Sequence, residues 1–194
     1  MICCLIRHGQ DDDSVRGGWS AQPLTEEGRK QAEALAEYLG KQNEYLCLRH
    51  LYTSDLPRAV QTIQPISDAL GLPVVKLSEF REVNNGELAG MDNELAKQRY
   101  PGLFWNTLGW GEKYPGGESP QDFYERITGA WTAFTARIIS EGENVLLVTH
   151  SGVIHIILSL IHGEKYSNAE KQRRVPHAQP ILLEYAGGSW REIQ

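Results

Sequence analysis

The stretch Asn144-Val145-Leu146-Leu147-Val148-Thr149-His150-Ser151-Gly152 decides the fold. Its aliphatic run predicts a buried strand, and three polar residues follow that run directly before a glycine. Residues 152–162 then form an apolar segment of helical length, which we predict to end at Gly163. A buried strand that leads directly into a helix is the repeating unit of α/β proteins.

The same pattern recurs on both sides of this segment. Further strands are predicted at residues 1–6, 48–53 and 74–77. Near the end of the chain, residues 181–185 and 190–193 flank Gly187-Gly188, which indicates a hairpin. We therefore predict an α/β three-layer sandwich with a mostly parallel central sheet, helices on both faces and antiparallel strands at an edge.

The segments between these strands have helical periodicity. Thr25 is the predicted N-cap of a helix that ends at Gly40, and Ser54 is the predicted N-cap of a helix that ends at Gly71. A longer helix has one apolar face, formed by Phe123, Ile127, Ala130, Trp131, Phe134 and Ile138. Residues 83–117 are irregular and rich in Pro and Gly, so we expect them to form a small cap insertion over one end of the sheet.

Length and composition narrow the function classes. The chain has 194 residues, of which 41% are hydrophobic and 23% charged, so we predict a single domain over residues 1–194. Its net charge of −6 argues against binding to nucleic acid or to an anionic membrane. The three cysteines, Cys3, Cys4 and Cys47, suit a reducing compartment, and we expect a cytoplasmic protein.

Cationic and imidazole side chains follow three of the predicted strands. Arg7 and His8 end the first strand, Arg58 lies near the start of the helix after the second, and His150 follows the fourth. Because the carboxyl ends of parallel strands meet at one edge of a sheet, we expect these side chains in one crevice. Arg58 near a helix N-terminus is unfavourable unless an anion also binds there. Together these residues predict a site for a phosphate-sized anion.

An acidic residue completes this set. Glu82 follows the third strand in a segment rich in turn-forming residues. Each residue also has a simpler explanation, since a histidine at a strand end is often structural and a loop carboxylate is often solvated. Asp55 lies at a strand end too, but helix capping alone explains it.

Six segments, taken in order, resemble the histidine phosphatase superfamily, which has the phosphoglycerate mutase-like fold. They lie at residues 5–10, 23–28, 51–62, 80–86, 114–126 and 148–153. The resemblance implies that His8 is the nucleophile and is transiently phosphorylated, and that Glu82 donates a proton to the leaving oxygen. It implies a phosphate-binding set of Arg7, Arg58 and His150, a second tier of Gln10, Ser14 and Ser151, and no metal or cofactor.

Three positions depart from the family pattern. Asp11 and Ser14 replace a threonine and an asparagine of the opening motif, and Ala89 stands where a second glutamate is frequent. The run Asp11-Asp12-Asp13 places negative charge near the expected mouth of the site. The substrate contacts are therefore not defined by the family pattern. Aromatic residues of the insertion either line a ring-binding pocket or form its small core: Trp105, Trp110 and Tyr114.

These observations favour a metal-independent phosphomonoesterase that acts on a small phosphorylated metabolite, with a phosphoprotein as a second type of substrate. A metal hydrolase with His8, His150 and residues 11–13 as ligands is disfavoured because Arg7 and Arg58 would repel a cation. Two further alternatives stay open. One is a phosphoglycerate mutase, and the other is a module that binds phosphorylated ligands without catalysis.

Overall fold

The computed structural model describes residues 1–170 and 173–193. The strands are β1 (Ile2–Arg7), β2 (Leu48–Thr53), β3 (Val74–Lys76), β4 (Asn144–Thr149), β5 (Pro180–Ala186) and β6 (Ser189–Ile193). The α-helices are α1 (Glu26–Leu46), α2 (Pro57–Leu70), α3 (Asn93–Arg99), α4 (Pro120–Glu141) and α5 (Ser151–His162).

One sheet contains all of these strands, in the order β3-β2-β4-β1-β5-β6. The strands β1 to β4 pair in parallel, whereas β5 runs antiparallel to β1 and β6 antiparallel to β5. The predicted parallel sheet with an antiparallel edge hairpin is therefore confirmed. This arrangement brings the carboxyl ends of β1 to β4 to one edge of the sheet.

Alternating residues of β1 face two separate hydrophobic layers. Cys3 and Leu5 belong to a cluster with residues of α4 and α5, whereas Cys4 and Ile6 belong to a cluster with residues of α1 and α2. Helices therefore cover both faces of the sheet, as the predicted three-layer sandwich requires. No helix in the described part of the chain is both long enough and apolar enough to cross a membrane.

Two predicted helix boundaries are wrong. The helix α1 continues through Gly40 and ends only at Leu46; its C-cap is Cys47, which has φ +46 and donates its N–H to the Asn43 carbonyl. Gly40 therefore stays in helical geometry, where glycine is less favourable than alanine but tolerated. Ser54 does not cap α2, because the N-cap is Leu56 and Pro57 begins the helix.

The segment predicted to form a cap insertion, residues 83–117, contains more regular structure than predicted. Asp92 caps the short helix α3 by accepting from two backbone N–H groups, and 3-10 helices lie on either side of it. The insertion has its own small cluster around Leu88, Leu108 and Tyr114. Its backbone also pairs with the loop after β1, since the Arg16 N–H donates to the Met91 carbonyl at 2.8 Å. The insertion is thereby held beside the carboxyl edge of the sheet.

Candidate active site

The carboxyl ends of the parallel strands bring the predicted residues together. The imidazole rings of His8 and His150 have their centroids 5.0 Å apart. The Arg58 Nε–H donates to His8 Nε2 over 3.2 Å. Residues from three strand ends, far apart in sequence, therefore meet at one point.

The tautomer of His8 is fixed by its two neighbours. His8 Nδ1 lies 2.7 Å from the Gly9 carbonyl oxygen, which can only accept, so Nδ1 carries the proton. His8 Nε2 is then the accepting nitrogen, and its lone pair points toward Arg58. Burial, followed by the positive charge of Arg58, holds the pKa of His8 well below its usual range. His8 is therefore a neutral imidazole at neutral pH, and its unprotonated Nε2 accepts from Arg58.

The glycine after His8 makes room for protein rather than ligand. A Cβ on Gly9 would lie 2.5 Å from the carbonyl oxygen of Gly28, near the start of α1. The Gly9 N–H donates to Thr62 on α2 at 2.9 Å. The close approach of Gly9 to Gly28 and its hydrogen bond to Thr62 hold the backbone that carries His8 against α1 and α2.

Arg58 is buried in the first turn of α2, with 1% of its surface exposed. Besides His8, it donates to the Gly18 carbonyl at 2.7 Å and to the Ser20 carbonyl at 3.3 Å. Its Nε lies 3.4 Å from a carboxylate oxygen of Asp11. Burial lowers the pKa of Arg58, and the Asp11 carboxylate partly offsets this by favouring the charged form. The acidic residue that replaces the expected threonine therefore lies next to an arginine of the site.

Arg7 occupies the end of β1, beside His8. Its Nη1 donates to the Val175 carbonyl at 2.9 Å, and its Nε is buried without a hydrogen-bond partner among the described residues. A buried guanidinium N–H that lacks a protein partner favours binding of an anionic ligand.

His150 is fully buried, and it is oriented by Ser54 from the end of β2. The Ser54 hydroxyl lies 2.9 Å from His150 Nε2, while Nδ1 has no partner among residues 1–170 and 173–193. Burial and then Arg58 hold the pKa of His150 well below its usual range. Ser54, predicted as a helix cap, instead positions an imidazole of the site.

Glu82 is held between the segment after β3 and the start of α5. Its carboxylate oxygens accept from the backbone N–H groups of Val83 and Gly152, each at 3.1 Å. Its carbonyl accepts from Trp19 Nε1 at 2.7 Å and from Arg126 Nη2 at 3.0 Å. The Glu82 carboxylate is thus fixed at the end of the sheet where His8 lies.

A bidentate ion pair holds the segment that precedes Glu82. Arg81 donates to both oxygens of Asp55 at 2.6 and 2.5 Å, and this lowers the pKa of the carboxyl group. The prediction that capping alone explains Asp55 is wrong, since its side chain ties the end of β2 to the segment that carries Glu82.

Two adjoining cavities form the crevice. The cationic half, about 320 Å³, includes Arg7, His8, Arg58 and the acidic residues 11–13 in its lining. The aromatic half, about 280 Å³, has an apolar wall. That wall consists of Val83, Trp105, Tyr114 and Phe123. Both halves share four residues: Arg16, Gly17, Gly18 and Glu82.

The second-tier residues occupy different places. Ser151 lines the aromatic half at the start of α5. Gln10 and Ser14 are not among the described residues that line either half. The Gln10 carbonyl instead accepts from Thr25, the N-cap of α1, so the backbone of Gln10 ties the His8 loop to that helix.

Of the three aromatic residues considered in the insertion, two line the crevice. Trp105 and Tyr114 stack with their centroids 6.3 Å apart, and both also pack against the core of the insertion. Trp110 lies elsewhere and contacts Tyr124 and Tyr166. Trp105 and Tyr114 therefore belong both to the pocket wall and to the core of the insertion.

His177 is a residue of the site that the sequence analysis missed. Its Nδ1 lies 2.9 Å from the His8 carbonyl oxygen, and its ring centroid is 5.6 Å from that of His8. The antiparallel direction of β5 is the signal that could have found it. A strand antiparallel to β1 begins where β1 ends, so residues just before β5 must lie near His8.

Comparisons with known proteins identify the family of this chain. The family model described as "histidine phosphatase superfamily (branch 1)" matches residues 3–193. The chain is 29% identical to the uncharacterized phosphatase PhoE of Bacillus subtilis (strain 168), over 97% of this chain and 90% of that protein. It is 31% identical to phosphoglycerate mutase-like protein 4 of Arabidopsis thaliana, over 96% of this chain and 80% of that protein.

A solved structure extends the similarity to the whole fold. The mycobacterial glucosyl-3-phosphoglycerate phosphatase has a TM-score of 0.78 and 26% identity, over 99% of this chain and 96% of that chain. The order of the sequence segments, the site at the sheet edge and the matched family model all lead to one assignment. The chain belongs to the histidine phosphatase superfamily, branch 1.

Proposed function

We propose that this protein is a metal-independent phosphomonoesterase that works through a phosphohistidine on His8. The observation that carries the proposal is the 3.2 Å contact between Arg58 Nε and His8 Nε2, with Nδ1 tied to the Gly9 carbonyl. This leaves an unprotonated nucleophilic nitrogen facing a cationic cavity. Relatives named as phosphatases support hydrolysis of phosphoric monoesters.

In the first step, the lone pair of His8 Nε2 attacks phosphorus and the ester P–O bond breaks. The electron pair of that bond goes to the leaving oxygen, which takes a proton from Glu82. Arg7, Arg58 and His150 surround the transferred group and stabilise the charge on its equatorial oxygens. Two guanidiniums supply the positive charge, and they would repel a metal ion from the same cavity.

In the second step, a water molecule attacks the phosphohistidine and gives its proton to the Glu82 carboxylate. The N–P bond breaks, its electron pair returns to His8 Nε2, and inorganic phosphate leaves. Glu82 is suited to serve both steps because it borders both halves of the crevice. Gln10 and Ser14 stay predicted second-tier residues, and Ser151 is the member of that tier that lines the crevice.

The crevice suits a small phosphorylated metabolite better than a phosphoprotein. Each half has a volume of about 300 Å³, which is the size of a small-molecule pocket. We further propose that residues 1–194 form one domain with the cap insertion at 83–117. The free thiols of Cys3, Cys4 and Cys47 support a cytoplasmic location, and the net charge of −6 argues against nucleic acid as a partner.

The test is to trap the phosphoenzyme. Wild-type protein is mixed with 4-nitrophenyl phosphate in a chelator, quenched in base, and analysed by mass spectrometry for a phosphoryl group on the His8 peptide. We expect that group, together with steady hydrolysis. The variant His8→Asn should stay folded and lose at least about 10³-fold in kcat/KM. His50→Asn, at a half-exposed position where His50 contacts Glu143 outside the crevice, is the matched control.

Each alternative predicts a different result. A mutase would interconvert 2- and 3-phosphoglycerate faster than it hydrolyses either. A binding module would bind phosphate without turnover, and a metal hydrolase would lose its activity in the chelator. An active His8→Asn variant with no phosphoenzyme in the wild type would refute the proposed mechanism.

A further inference from the structure

The aromatic half of the crevice contains a cation that the proposed chemistry does not use. Arg16 lines both halves, and its Nε is buried without a hydrogen-bond partner among the described residues. None of the ion pairs formed by those residues includes Arg16. A buried guanidinium N–H without a partner is costly unless a ligand satisfies it.

The backbone and side chain of Arg16 are both fixed. Its N–H donates to the Met91 carbonyl and its carbonyl accepts from the Gly90 N–H, each at 2.8 Å. The guanidinium carbon lies 4.6 Å from the centroid of the Phe104 ring, a favourable cation–π distance. Arg16 is therefore a pre-positioned cation rather than a freely moving surface side chain.

Among the described residues, no neighbour in the aromatic half forms an ion pair with Arg16. Burial raises the pKa of Tyr114 to about 12, and the positive charge of Arg16 only partly opposes the rise, so the phenol stays neutral. Glu82 shares the cavity, and the backbone N–H groups of Val83 and Gly152 hold its carboxylate in place. The charge of Arg16 is thus available to a ligand.

The rest of the wall recognises a different chemical group. Val83, Trp105 and Phe123 present apolar surface, and Trp105 meets Phe123 edge to face at 5.7 Å. Such a wall binds an apolar or planar group. Since the cationic half takes the phosphoryl group, the aromatic half faces the alcohol part of the ester.

We propose that the preferred substrates are phosphomonoesters whose alcohol part has an apolar body and a second anionic group, which Arg16 binds. This inference rests on the proposed phosphatase function and adds a determinant of specificity to it. Carboxylates and phosphates share the required chemistry, because both offer paired anionic oxygens to a guanidinium.

The experiment uses two esters of the same shape, together with their 3-substituted isomers. One is 4-carboxyphenyl phosphate, whose ring substituent is anionic, and the other is 4-carbamoylphenyl phosphate, whose ring substituent is neutral. The quantity measured is the ratio of kcat/KM for the carboxylate to kcat/KM for the amide. We expect the wild type to favour the carboxylate in at least one pair. In Arg16→Met that ratio should fall about 10- to 100-fold, the range for a lost hydrogen bond to a charged group.

Two further variants separate charge from packing. Arg16→Lys keeps the charge and should retain most of the preference. Arg99→Met removes the same charge from an exposed position of the insertion and should leave the ratio at the wild-type value. Dividing the two rates within each variant cancels any general loss of active enzyme.

An equal ratio in wild type and Arg16→Met would overturn this inference, and hydrolysis of the amide ester would show that the phosphatase assignment still holds. Failure of the wild type to hydrolyse any of the esters would overturn both. If Arg16→Met does not fold, product inhibition of the wild type decides. Stronger inhibition by 4-hydroxybenzoate or its 3-isomer than by the matching amide supports the inference, and equal inhibition in both pairs overturns it.

Discussion

At the residue scale, the site depends on charges that are buried close to one another. Arg7, Arg58 and two neutral imidazoles share the end of one sheet, and burial is the largest cause of the lowered pKa of each histidine. A dianionic phosphoryl group supplies the negative charge that compensates these two guanidiniums. Asp11 is the exception, because it adds a carboxylate 3.4 Å from Arg58 where the anion is expected to bind.

Replacing Asp11 tests whether this carboxylate competes with phosphate. We expect Asp11→Asn to lower the inhibition constant for inorganic phosphate by about 3- to 10-fold, because it removes one repulsive charge in a partly buried site. Competitive inhibition of aryl phosphate hydrolysis measures this constant. Asp12→Asn gives the same change in net charge, but Asp12 is exposed, so its effect should be smaller. Weaker phosphate binding in Asp11→Asn would mean that Asp11 instead holds Arg58 in place.

At the scale of elements, the start of α5 positions Glu82, the proposed proton donor. The Gly152 N–H binds the Glu82 carboxylate, and a Cβ at this position would lie 2.4 Å from Glu82 Oε1 and 3.1 Å from the Phe123 ring. Glycine is therefore required here for the close approach of a side chain from another segment. The helix dipole also places partial positive charge beside that carboxylate.

Gly152→Ala should impair activity more than stability. The methyl group displaces the end of a flexible glutamate side chain, so the fold can adapt while the proton donor moves. A shift of this kind predicts a loss of about 10²-fold in kcat/KM, measured beside thermal unfolding. Gly129→Ala on α4 is the matched control, because no atom lies within 4 Å of its added Cβ. This control should keep its activity and gain up to about 1 kcal/mol in stability.

A Gly152→Ala variant with wild-type activity would contradict this role of α5. It would show that Glu82 does not need its present position, or that another group donates the proton. If Gly152→Ala does lose activity, the activity of Gly129→Ala shows whether that loss is specific to Gly152 or a general effect of alanine in a helix.

At the scale of the whole molecule, the buried histidines make stability depend on pH. Folding lowers the pKa values of His8, His150, His155 and His177, in each case mainly through burial. The unfolded chain therefore binds more protons than the folded chain at a pH below the ordinary histidine pKa of about 6.5. The free energy of unfolding must fall as the pH decreases through that value.

Urea unfolding between about pH 7.5 and pH 5 measures this effect. We expect stability to be constant at the upper end and to decrease steadily below about pH 6.5. The double variant His8→Asn/His150→Asn should show a shallower decrease, whereas His50→Asn, at a half-exposed position outside the crevice, should follow the wild type. A flat profile over this range would show that these imidazoles are not buried in their neutral form.

Much of the architecture could be predicted from periodicity and turn signals. The strand β4, the long helix α4 and the terminal hairpin follow from apolar patterns that local sequence carries. The wrong prediction for the end of α1 has a physical cause. Gly40 was expected to end α1, but a glycine ends a helix only if tertiary packing allows the left-handed turn there, and Cys47 adopts that turn instead.

The sequence by itself determined the strand ends that carry Arg7, His8, Arg58 and His150, because residue types at the ends of parallel strands must share one edge. It also fixed the order of segments that places the chain in its superfamily. Side-chain partners were decided only by the tertiary structure. His177, the pairing of Asp55 with Arg81 and the free charge of Arg16 depend on contacts between segments distant in sequence, and such contacts form only when the sheet and the insertion have packed.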